Sequence, residues 1–123
     1  EHLFDTRAFL TELARVTRPG GLCIVTTPNL AHLPDRLGFL LGKSPAQVQP
    51  LHPLLKLHIR PFTRSTLSAA LTDAGFEIND FESTLVVWRR AAGDPDRVTL
   101  ATRSLARWFP SLGSFLIAYA RKI

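Results

Sequence analysis

The sequence predicts an α/β fold, and three observations carry that expectation. Residues 6–18 repeat apolar side chains at helical spacing, Pro19-Gly20-Gly21 break the helix, and residues 22–27 follow as a β-prone run. A similar helix, glycine and strand unit recurs at residues 63–81. The helices stand between strands instead of following a block of them, which is how α/β sheets are assembled.

Asp5 is read as the N-cap of the first helix, because its carboxylate can accept from the free amides of the first turn. Phe9, Leu10, Leu13 and Val16 form the expected buried stripe. The strand at residues 22–27 lacks polar alternation, so it is expected to be covered on both faces, with Pro28 ending its ladder. Residues 30–62 hold five prolines and three of the four histidines and read as a long functional connection, a lid over substrate. Thr63 then caps a second helix whose buried stripe is Leu67, Ala70, Leu71 and Ala74, with Gly75 at its end. Residues 76–81 begin a strand with Phe76, Ile78 and Asp80 alternating, and a continuation through residues 85–88 is consistent with the pattern. Asp94-Pro95 opens a third helix with Val98, Ala101, Leu105 and Trp108 on one face. Gly113 precedes a last strand, residues 114–120.

Composition narrows the function classes. The 123 residues are enough for one domain, and 46% hydrophobic with 20% charged residues is ordinary globular usage. The single cysteine, Cys23, falls in a strand, which excludes an internal disulfide and agrees with a cytoplasmic setting. It is read as a small core residue and not as a nucleophile. The net charge of +5 comes from scattered arginines without an aromatic platform, so no nucleic-acid partner is expected. Five arginines with Trp88, Trp108 and Phe109 gather in residues 88–109. Three readings stand for them: a weak membrane-surface contact, a pocket for a hydrophobic acceptor, or a helix packing its apolar face on the sheet with its arginines in solvent. His32, His52 and His58 match no common zinc spacing, so no metal is expected. The absence of methionine suggests a piece of a longer protein.

The order of several strings extends the reading. EHL at the start, FLTELARVTRPGG, TTPN, HIRPFT, LSAALTDAGFEI and a terminal ARK together resemble the class I S-adenosylmethionine-dependent methyltransferases. The likeness is strongest to enzymes acting on small molecules and lipid quinones. It covers almost the whole chain except residues 84–112, a variable insert, and Thr17 replaces the leucine usual before the RPGG turn.

The resemblance implies the C-terminal half of a Rossmann-like fold with a mixed sheet, the last strand lying antiparallel between the two before it. It also implies S-adenosylmethionine as cofactor and a small-molecule or lipid-like methyl acceptor. The glycine-rich turn that approaches the cofactor is missing, so an N-terminal half of the domain becomes the expected partner and the isolated chain is expected to be inactive. Glu1, His2 and Leu3 would lie past a strand's carboxyl end and line the cofactor pocket, with His2 as the candidate base. Asn29 would either contact substrate or make an Asx turn after Pro28. His58 and Arg60 would either border the substrate mouth or decorate a loop. The rival readings are a non-catalytic interaction module built on the Pro-rich insert and the basic helix, and another nucleotide-handling α/β enzyme.

Overall fold

The computed structural model describes residues 1–49, 51, 58–84 and 104–123. In chain order the elements are α1 (Thr6–Val16), β1 (Leu22–Pro28), α2 (Leu33–Leu40), α3 (Arg64–Asp73), β2 (Phe76–Ser83) and β3 (Phe115–Lys122). Short 3-10 turns occupy Ala46–Val48 and Pro110–Leu112, and residues 104–108 are helical. The expected strand continuation at residues 85–88, the start of the third helix at Asp94-Pro95, and His52 lie outside the described residues.

Both helix starts form as their sequences dictate. Asp5 Oδ1 accepts from the Ala8 amide at 2.9 Å. Thr63 and Thr66 exchange side-chain and backbone hydrogen bonds in a reciprocal capping box, which satisfies two otherwise orphan donors. At the far end of α3, Gly75 adopts φ +87°, where a side chain would be strained, and its carbonyl accepts from the Ile123 amide at 3.1 Å.

The three strands run in the order β1-β3-β2. β3 is antiparallel to both neighbours, pairing Cys23 with Ala120 on one side and Phe81 with Ala118 on the other. The last strand therefore lies between the two that precede it. Every strand pair among the described residues is antiparallel, and the parallel component of the expected mixed sheet is confined to an isolated bridge between Asn29 and Phe62.

One face of this sheet carries Cys23, Phe76, Phe81, Leu116, Ala118 and Ala120, all buried with Leu10 and Ala14 of α1 and Leu67 and Leu71 of α3, and Thr27 is buried on the same face of β1. Phe76, Leu71 and Leu116 are each 0% exposed, which places about 1.5–3 kcal/mol of transfer free energy in each side chain. The alanines of β3 keep the strand thin where the helices cross it.

Four expectations are corrected by this packing. β1 is covered on one face, not two: Leu22 and Ile24 are 58% and 55% exposed, because both helices lie on the Cys23 side. The helix α1 buries Leu10 and Ala14 with Leu13 packed against them, whereas Phe9 and Val16 face outward, since the helix meets the core along its 10–13–14 edge. In β2 a bulge between Ile78 and Asp80 shifts the alternation by one residue. Phe81 thereby enters the core and Asp80 turns to solvent, where its carboxylate accepts from the Phe81 amide at 2.7 Å. Finally, Trp108 is 79% exposed, and Ala106 is the residue of that turn that is buried.

The connection at residues 30–62 is also more regular than expected. It contains α2, opened by Pro34 near its first turn, and its apolar residues Leu37, Phe39, Leu40 and Leu41 remain exposed. β1 also runs one residue further than expected, with Pro28 still opposite Phe115.

Candidate functional site at the end of β1

The first residues of the chain do not form a strand; they lie across the carboxyl end of β1. Two contacts hold Glu1 there. Its Oε2 accepts from Thr27 Oγ1 at 3.2 Å, and its backbone carbonyl accepts from the amides of Ile59 and Arg60 at 3.0 and 3.1 Å. Arg60 fastens the same segment from the other side, donating to the Phe4 carbonyl at 3.1 Å with its guanidinium 5.7 Å from the Phe4 ring centre. Residues 1–4, the end of β1 and residues 58–62 thus converge on one rim.

The side chains on this rim are chemically dense. His2 Nε2 lies 3.6 Å from Glu1 Oε1, and the rings of His2 and His58 meet edge to face with centroids 4.6 Å apart. The three side chains each offer one ligand-capable atom, and these atoms all lie within 4.8 Å of one another. His2 is exposed, while Glu1 and His58 are half-buried. Leu3 is 43% exposed next to them and offers an apolar surface at the same edge. The structure therefore brings together Glu1, His2, Leu3, His58 and Arg60, five of the six residues singled out in the sequence.

Asn29 is placed beside them but faces inward. It is 0% exposed, its amide nitrogen donates to the Ser111 and Gly113 carbonyls at 2.8 Å each, and its oxygen accepts from the Ala31 amide at 3.1 Å. Its backbone amide donates to Ser114 at 2.8 Å. With these groups engaged, the Asx turn is the role the structure shows, and the side chain fastens the loop before β3 to the end of β1. A substrate contact through this side chain has no donor left to make it.

Two concavities border the rim. A cleft of about 700 Å³ lies between α1 and α3, lined by Arg7, Leu10, Ile59, Arg60, Phe62 and Ala74 among others. It shares Ile59, Arg60, Pro61 and Phe62 with the rim, and Glu1, His2 and His58 are not among its lining residues. A shallower one of about 440 Å³ is lined by Arg36, Thr63, Arg64, Ser65, Ser68 and Ser111 with Ala31. Burial pushes the Cys23 thiol above its ordinary value, so this residue is not an activated nucleophile. That agrees with its reading as a core residue.

The grouping of Glu1-His2 with His58 was not legible from spacing. The other histidines near His58 in sequence are His32 and His52, whereas its partners come from the first two positions. The available signal was the proximity of EHL and HIRPFT implied by the shared fold, not any local motif.

The comparisons with known proteins point the same way as the resemblance. The chain is 40% identical over 80 residues to a protein of Mycolicibacterium smegmatis named a probable S-adenosylmethionine-dependent methyltransferase. The matched stretch covers 65% of this chain and 26% of that relative. Two Mycobacterium tuberculosis proteins of the same printed description are 40% identical over 76 residues, covering 62% of this chain and 23% of each. The chain thus matches about a quarter of the length of these relatives. No protein-family model matches it.

Proposed function

We propose that this chain forms part of an S-adenosylmethionine-dependent methyltransferase and supplies one wall of its active site. The observation that carries the reading is the 40% identity to relatives so named, in a chain whose last strand lies between the two preceding strands. The rim at the end of β1 supports it, because ligands of α/β sheets bind beyond the carboxyl ends of strands.

The cofactor supplies a methyl group on a sulfonium, whose positive charge disappears on transfer. The protein's task is alignment of donor and acceptor. Glu1, His2 and Leu3 fit one side of such a ligand: a carboxylate for hydroxyls, an imidazole, and an exposed apolar side chain. His58 and Arg60 border the acceptor side. His2, exposed at the rim, takes a proton where the acceptor is a hydroxyl; an acceptor already unprotonated needs no base. The acceptor class is small or lipid-like. Exposed Leu37, Phe39, Leu40 and Leu41 in and after α2, with Arg36 and Lys43 nearby in sequence, support an apolar acceptor or a weak contact with an anionic membrane surface. Among the described residues no helix is long and apolar enough to cross a membrane.

The test uses the coding sequence upstream of Glu1. A strand followed by a glycine-rich turn is expected there, and calorimetry on the extended protein should give micromolar binding of S-adenosylmethionine, with negligible binding by the 123-residue chain. Micromolar binding by the short chain overturns the view that the missing half carries the cofactor contacts. An extended protein that binds no cofactor overturns the methyltransferase reading. Vesicle sedimentation with and without anionic lipid tests the membrane contact, and absence of binding at low salt removes it.

A further inference from the structure

We infer that Glu1, His2 and His58 form a binding site for a divalent transition-metal ion. The inference does not rest on methyl transfer; it follows from the donor set and from how the fold holds it, and with the ion bound His2 is a ligand and no longer a proton acceptor.

Two imidazoles and one carboxylate are ligands suited to zinc and to neighbouring first-row divalent ions, and three protein ligands leave positions open to water or a substrate oxygen. The ligand-capable atoms already lie within 4.8 Å of one another. Ligands at zinc distances of about 2.1 Å in a tetrahedron are roughly 3.4 Å apart, so closure needs shifts of about 1 Å, the scale of a side-chain rotation.

Three further observations point to a ligand. The Nδ1 atom of His58 is buried and has no hydrogen-bond partner, a state that ordinarily carries an energetic cost. Thr27 Oγ1 donates to Glu1 Oε2, which orients the carboxylate and leaves Oε1 on the side of His2 Nε2, 3.6 Å away. Such outer hydrogen bonds are how metal sites fix their carboxylate ligands. Lastly, the Glu1 carbonyl accepts from the amides of Ile59 and Arg60, the two residues that follow His58. The backbone thereby clamps the two ligand-bearing segments together before any ion arrives. With His2 exposed, an ion has an open path from solvent.

The experiment is a zinc titration of the purified, tag-free protein in competition with a chromophoric chelator, followed by cobalt substitution read in the visible spectrum. One equivalent of Zn²⁺ should bind, and the cobalt form should show the absorption bands of a low-coordinate imidazole site. His58→Ala, His2→Ala and Glu1→Gln should each weaken binding by at least tenfold. Thr27→Val, which removes only the orienting hydroxyl, should weaken it by about tenfold. His32→Ala is the control, since His32 Nδ1 lies 2.9 Å from Asp35 Oδ2 and offers the other imidazole–carboxylate pair among the described residues. Should His58→Ala fail to fold by circular dichroism, the exposed His2 decides the question. No binding of zinc at micromolar protein overturns the inference. So does binding that survives His2→Ala, or binding that is lost only in His32→Ala.

Discussion

Replacing Asn29 should destabilise the protein more than any other single polar substitution at the rim. The side chain is 0% exposed and makes three hydrogen bonds, two donated to the Ser111 and Gly113 carbonyls and one accepted from the Ala31 amide. Asn29→Ala strands all three partners. The bond to Gly113 is fully buried, and a buried group left unpaired costs about 1–3 kcal/mol, while the part-buried partners, which water can reach, cost about 0.5–1.5 kcal/mol each. The total is about 2–6 kcal/mol, a large share of the roughly 5–15 kcal/mol that holds an ordinary domain together. With a urea slope near 2 kcal/mol/M, a 3 kcal/mol loss lowers the unfolding midpoint by about 1.5 M. Asn29→Asp sharpens the test. A carboxylate has the same shape but no proton to donate, and it would face two carbonyl oxygens. Its folded pKa would therefore be raised above the ordinary value of about 3.9. The stability of that variant should be fullest below this value and be lost as pH rises through the folded pKa, so at pH 7 it should fall below Asn29→Ala. Urea unfolding followed by tryptophan fluorescence at pH 4 and 7 measures both. An alanine variant within about 0.3 M of the parent midpoint, or an aspartate variant indistinguishable from alanine at pH 7, refutes the reasoning.

Other substitutions and titrations probe different parts of the fold. Gly113→Ala would drive a Cβ into Ser83 Oγ and the Thr84 carbonyl oxygen, so this variant should lose several kcal/mol or fail to accumulate as folded protein; normal expression and melting would contradict the packing. Thr63→Ala removes the capping box of α3 and should cost about 0.5–2 kcal/mol in thermal or urea unfolding. Burial raises the Cys23 thiol, so alkylation at pH 8 should be slow in the native protein and fast in denaturant, and the stability linked to this thiol should be lost as pH rises above about 8.5. The Tyr119 hydroxyl donates to Glu82 at 3.1 Å, and this bond and the nearby carboxylates raise its pKa. Absorbance titration should place its ionisation above about 10, and Glu82→Gln should bring it back down.

What the sequence revealed of this fold was what local chemistry determines. Asp5, Thr63, Gly75 and the Pro19-Gly20-Gly21 turn act within a few residues of themselves, and each is found where its capping or turn preference puts it. The position of β3 between β1 and β2 was not readable from periodicity; it came from resemblance to a larger family and is present in the sheet. The misjudged features depend on what lies opposite. Apolar Leu22 and Ile24 suggest burial on both faces, yet the helices lie on one side only. Asp80 was assigned to the alternation of β2 because a bulge leaves no mark in a strand pattern of two. Pro28-Asn29 fits both a turn and a ligand contact in sequence, and only the distant Ser111 and Gly113 carbonyls distinguish the two. The rim itself was legible in part. The sequence named Glu1, His2, His58 and Arg60 singly, but their meeting depends on backbone bonds between positions 1 and 59–60.

The order β1-β3-β2 has a consequence for how the chain acquires its shape during synthesis. Among the described residues β1 and β2 are not paired with each other, and each has its sheet partner in residues 115–122. When residues 6–83 have left the ribosome, the capped helices α1 and α3 are present while the strand that β1 and β2 both pair with has not yet been made. The β1–β3 and β2–β3 ladders must wait for contacts that span up to about a hundred positions, which favours slow closure of this part of the sheet and a lasting demand for chaperone protection of its emerging strands.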